Sequence, residues 1–118
     1  DADEYSETEE LMRSNSLAQK DAYRKHVGLL TSSEIKRIRE KYRISQKEFS
    51  EILGWSPATI TRYENHQVQD RAHDDILRKL DSDPQWFIEM LERAKNSIAK
   101  YSVYRQNAAS LLNKQASP

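Results

Sequence analysis

Pro57, Ala58, Thr61, Arg62 and Asn65 recur at i, i+1, i+4, i+5 and i+8, so on a helix they share one side, while Ile60 and Tyr63 take the other. The shared side is small and polar apart from one guanidinium, and it carries no acid. Such a set suits flat hydrogen-bonding partners and anions. Just upstream, six bases (Lys36, Arg37, Arg39, Lys41, Arg43 and Lys47) face a single acid, Glu40. A basic cluster beside a polar helix face favours phosphate contact, above all by Lys36 and Lys47. A helix held by its back and presenting this side fits the major groove of a duplex.

Two short helices joined by a tight turn must position these groups. Ser45 is an N-cap candidate with Glu48 three residues on, so a capping box is expected and a helix should begin at Gln46. Phe49, Ile52 and Leu53 form its apolar face, and Gly54 supplies the backbone freedom for a sharp turn. Ser56 is expected to cap the second helix, with Pro57 at its first position and its span at residues 57–65.

At 118 residues, with 36% hydrophobic and 32% charged side chains, the chain allows one domain with extensions and a small core. Glycine and proline total five, which leaves helices uninterrupted, and an all-α fold of five to six helices is expected. There is no cysteine, which excludes disulfides and thiolate metal sites from these residues. Apolar runs of membrane-spanning length and a secretory signal pattern are both lacking, so a cytoplasmic location is expected. The start at Asp1 without methionine suggests a trimmed piece of a longer protein. Net charge is zero, but six of the 19 acids (Asp1, Asp3, Glu4, Glu7, Glu9 and Glu10) lie in residues 1–10. That leaves 13 acids against 19 bases elsewhere, a net of +6.

Residues 1–15 read as an acidic, disordered linker. Residues 16–30 form an extension helix with Leu17, Ala18, Ala22, Tyr23 and Val27 as a weak stripe and Gly28 as its stop. Thr31, Ser32 and Ser33 cap the next helix, whose buried positions are Ile35, Ile38 and Tyr42. After Asn65, a helix from about Asp70 buries Ile76, Leu77 and Leu80. Another opens at Asp83 and Pro84 with Trp86, Phe87, Met90 and Leu91 on one strongly apolar face. That face either closes the core or meets a second copy of the chain. Residues 97–118 hold a last, weaker helix carrying Tyr104, Ala108, Leu111 and Leu112, then a frayed end.

The order of helix, SQKEFSEILGW, SPATITRYEN, helix and helix resembles the Xre/Cro-type helix-turn-helix family of bacterial and phage repressors, within a domain at residues 31–96. YRKHVGLLTSSEIKRIREKY upstream and RYENHQVQDRAHDDILRKLDSDP downstream look like MqsA-type (YgiT-like) antitoxins. In those proteins a zinc module built on CxxC pairs precedes the helix-turn-helix. Without cysteine that module is missing from these residues, and the chain looks like the DNA-binding half.

The resemblance implies a set of contacts. Pro57, Ala58, Thr61 and Arg62 fall at base-edge positions, and a guanidinium can bond both acceptors of a guanine. Gln46, Ser56, Thr59 and Asn65 fall where relatives approach the phosphates. Arg39 and Glu64 fall where relatives form a partly buried structural ion pair. Relatives place glycine after the asparagine, whereas this chain has His66, so either His66 is left-handed or the turn is rebuilt. The implied function is that of a transcriptional repressor regulating its own operon as a homodimer on a palindromic double-stranded operator. A toxin partner would engage through the missing module.

The alternative is a protein-interaction module using the Trp86 to Leu91 face. No glycine-rich phosphate loop or nucleophile and base arrangement indicates an enzyme, and no cofactor is read. His26, His66 and His73 lack ligand spacing and are expected to be solvent-exposed. His73 beside Asp74 and Asp75 makes a poor metal site, because neighbouring residues on a helix point different ways.

Overall fold

The computed structural model describes residues 7–116, which hold seven α-helices and a 3-10 turn, with no strand among them. The helices are α1 (Glu7–Val27), α2 (Ser32–Lys41), α3 (Gln46–Ile52), α4 (Thr59–Asn65), α5 (Arg71–Ser82), α6 (Pro84–Arg93) and α7 (Tyr101–Ala116), with the turn at Lys95–Ser97. The all-α fold is as expected: α2 to α6 are five helices, and α1 and α7 occupy the two flanking segments that also read as helical. The expected loose segment lies outside the described residues for positions 1–6, and so does the tail at 117–118. From Glu7 the chain is already helical, in a run of good helix formers.

The anchor of α1 is not its apolar stripe. Ala18 and Ala22 are exposed and Tyr23 is 55% exposed, while Arg24 is at 0%. Gly28 then ends the helix at φ +80°. A complete capping box starts α2: the Thr31 hydroxyl accepts from Glu34 N-H, and the Glu34 carboxylate accepts from Thr31 N-H at 3.1 Å. Its inner residues Ile35, Ile38 and Tyr42 are fully buried. Tyr42 donates its hydroxyl to Leu80 O at 2.5 Å and stacks on Phe87 with ring centroids 4.2 Å apart, tying α2 to α5 and α6.

Helix α3 begins at Gln46 with Ser45 accepting from Glu48 N-H at 3.2 Å. The expected reciprocal bond is replaced: Glu48 Oε1 instead accepts the Tyr104 hydroxyl of α7 at 2.7 Å. Gly54 turns the chain at φ +77°.

The start of α4 also differs from expectation. Ser56 does not cap it, and Pro57 and Ala58 form a turn closed by Thr59 N-H donating to Ser56 O at 3.0 Å. The cap comes from the neighbouring helix, where buried Ser50 Oγ accepts from Ile60 N-H at 3.1 Å and donates to Gln46 O at 3.0 Å. Ile60, at 0% exposure, locks the back of α4 into the core. Full burial of such a side chain contributes about 2 kcal/mol.

Asp70 caps α5 by accepting from His73 N-H, and Asp83 caps α6 by accepting from Trp86 N-H. Leu77, Leu80, Phe87 and Leu91 are fully buried, and Ile76, Trp86 and Met90 partly so. Phe87 and Leu91 belong to one core cluster with Ile98, Tyr104 and Ala108. Of the two fates expected for the α6 face, it closes the core of its own chain. Phe87 and Leu91 are thereby withdrawn from any partner, while Trp86 and Met90 keep part of their surface exposed.

Candidate nucleic-acid interface

The outward side of α4 and the beginning of α3 lie side by side, joined by a polar chain. Arg39 on α2 donates Nε to Glu64 Oε2 at 2.8 Å and Nη2 to Glu64 Oε1 at 3.0 Å. Its Nη1 donates to Ile44 O at 3.0 Å. The side chains are 14% and 5% exposed, so this is a two-bond pair largely out of water. The hydrogen bond to Glu64 holds the Arg39 guanidinium above its ordinary range. Gln46 Nε2 donates to Glu64 Oε1 at 3.1 Å, and Gln46 Oε1 accepts the Thr61 hydroxyl at 2.9 Å. The α3 N-terminus and α4 are thereby set in one register.

This network narrows what each group can offer. Gln46 retains one amide hydrogen at a helix N-terminus, a suitable donor for a phosphate. Thr61 gives its proton to Gln46, which leaves a methyl group and lone pairs for a base edge. Pro57, Ala58 and Ser56 are exposed, and Thr61 and Arg62 are half-buried. Arg62 Nε donates to Gln67 Oε1 at 3.0 Å and Nη2 to Thr59 Oγ1 at 3.3 Å. Asn65 Nδ2 donates to Thr61 O at 2.7 Å, back along its own helix.

Thr59 departs from its expected phosphate role. It is buried, and its hydroxyl accepts from Arg62 instead. The expected basic cluster also divides. Arg37 and Lys41 both bond to Asp81 on α5, and Arg39 to Glu64. Lys36 lies 3.7 Å from Glu40 and Lys47 4.0 Å from Glu51; with Lys47 74% exposed, such pairs hold a lysine weakly. These two remain available to phosphates.

Behind the interface, His73 is half-buried rather than exposed. It stacks on Trp55 with centroids 3.9 Å apart, and its Nδ1 lies 2.7 Å from the Tyr63 hydroxyl. Asp74 turns the other way, accepting from Leu30 N-H and from Arg78 Nε, so the two never converge on a metal. His66 has φ −157°, and the turn after Asn65 is rebuilt with His66 and Gln67 N-H groups both donating to Arg62 O.

Sequence reasoning missed Ser50, Gln67 and Arg24. A serine flanked by apolar residues in a short helix was a usable sign for the first. The other two carry no local pattern.

Residues 35–87 match the helix-turn-helix family model, which supports sequence-specific DNA binding by a helix-turn-helix. No curated protein and no solved structure shows a significant match to the chain.

Proposed function

We propose that the helix-turn-helix segment reads a DNA major groove with α4 and acts as a transcriptional repressor of its own operon. The observation that carries this reading is the exposed turn that leads into α4, together with the outward side of that helix. Pro57 and Ala58 are exposed, and Arg62 and Thr61 stand beside the Gln46 amide at the start of α3. Small residues in the turn let the start of α4 approach base edges closely, and Arg62 supplies the donors for a guanine. Gln46, Ser56, Asn65, Lys36 and Lys47 contact phosphates on either side. With so few polar side chains on the reading side, DNA shape contributes to the choice of site.

A single α4 reads only part of one helical turn. Two copies related by a two-fold axis on a palindromic operator would roughly double the specificity, so the acting species is a homodimer. The narrower role, the DNA-binding half of an MqsA-type antitoxin, is supported by the sequence resemblance on either side of the motif.

Selection from random duplexes, followed by binding isotherms between about 50 and 200 mM salt, tests this reading. A palindromic consensus bound with steep salt dependence is expected. Recovery of no consensus, or affinity indifferent to salt, would overturn it.

A further inference from the structure

We propose that Arg24, on a helix outside the family-matched segment, is a positioning residue for Arg62 and acts through Gln67. This rests on the DNA-binding reading above and deepens it.

Arg24 is fully buried, and its bonds reach three parts of the fold. Nη1 donates to Asp21 Oδ1 at 2.8 Å within α1. Nη2 donates to Tyr63 O at 2.8 Å and to Gln67 O at 2.6 Å, and Nε donates to Gln69 Oε1 at 3.0 Å. Tyr63 O belongs to the last turn of α4, where carbonyls lack helical partners and a cation is favoured by the helix dipole. Arg24 therefore caps the reading helix at its C-terminal end and grips the turn that follows.

The grip extends outward through one residue. Gln67 has its backbone carbonyl on Arg24 and its side-chain carbonyl on Arg62 Nε. The Arg62 guanidinium is thus fixed at two points, by Thr59 in its own helix and by a turn whose place Arg24 dictates. The other end of the link is equally firm. Asp21 accepts from Ser32 N-H at 2.8 Å and from the Ser32 hydroxyl at 2.6 Å, which anchors α1 to the start of α2. Gln69 donates to Leu30 O and Asp74 Oδ1. A buried guanidinium bonded on all sides tolerates one arrangement of its acceptors, since leaving it unpaired is costly. In this way α1 sets the aim of a side chain that reads bases.

The test measures the affinity of the full chain for its selected site and for a scrambled duplex, expressed as a ratio, alongside thermal stability. Gln67→Ala keeps the backbone carbonyl and removes the link to Arg62. It is expected to lower the ratio about tenfold, within the range of one bidentate base contact, with an unchanged melting temperature. Arg24→Lys is expected to lower the ratio similarly. The double variant should fall no further than the worse single one, since both act along one line.

If Arg24→Lys lowers the melting temperature and leaves the ratio intact, or if the two effects add, the proposal is overturned. If Arg24→Lys does not fold, Gln67→Ala decides alone, and an unchanged ratio there refutes the link. An unaltered protein with no preference over scrambled DNA would instead overturn the DNA-binding reading itself.

Discussion

Arg62 reaches the candidate interface already bonded through Nε and through one hydrogen of Nη2. Nη1 and the second hydrogen of Nη2 remain, and together they form the paired donors that a guanine accepts. Arg62→Ala should therefore relax sequence preference by about 1 to 3 kcal/mol of discrimination. Lys47→Ala should weaken binding to all sequences alike and reduce the salt slope by about one. Titrations of specific and random duplexes at several salt concentrations separate the two outcomes. Arg39 makes a different prediction, because its charge stabilises rather than reads. Arg39→Ala strands the Glu64 carboxylate and should cost about 3 to 5 kcal/mol in urea unfolding. Loss below 1 kcal/mol would mean that water reaches Glu64 freely.

Helix α4 shows what sequence patterns can and cannot convey about an element. Ser45 before Gln46 and Gly54 after Leu53 are signals confined to a few neighbouring positions, and the structure follows both. Ser56 and Pro57 carry a cap signal that is equally a turn signal, and here the turn prevails: Thr59 N-H closes it on Ser56 O, and Ser50 serves the Ile60 N-H at the start of α4. Arg24 was illegible for another reason: its acceptor Gln69 lies 45 residues on, and nothing in either neighbourhood marks the pairing. Of the stripe of Leu17, Ala18, Ala22, Tyr23 and Val27, Leu17 and Val27 are half-buried on the side that carries Arg24, whereas Ala18, Ala22 and Tyr23 are exposed. Ser50→Ala should cost about 1 to 3 kcal/mol, since it leaves a buried N-H without an acceptor. The loss should appear in urea unfolding, with a reduced helical signal if α4 frays first.

Across the whole molecule, the folded unit is larger than its family-matched part. On one flank α1 is bonded to α2 and to the end of α4; on the other, α7 completes the core beneath α6 and meets α3 through Tyr104 and Glu48. Three carboxylates that tie separate parts of the fold together share an electrostatic character. Burial raises Asp21, Asp74 and Asp81, but Ser32, Arg78 and Arg37 lead the hydrogen bonds that outweigh it, and each ends below its ordinary 3.8. A depressed carboxylate binds protons less readily folded than unfolded, so its stabilisation is complete above the ordinary value and disappears as pH falls through the lowered one. The urea midpoint should therefore drop steeply below about pH 4, and Asp74→Asn should flatten that drop. An acid limb as steep in Asp74→Asn as in the parent would contradict this assignment.

The borrowed cap on α4 reaches into how the chain acquires its shape. Seven residues are too few to stay helical alone in water, and this stretch takes its opening acceptor from Ser50 and its closing donor from Arg24. On a ribosome, then, the part that would touch a genome hardens only after its neighbours have closed around it. A clipped or half-made copy has no reader to misplace.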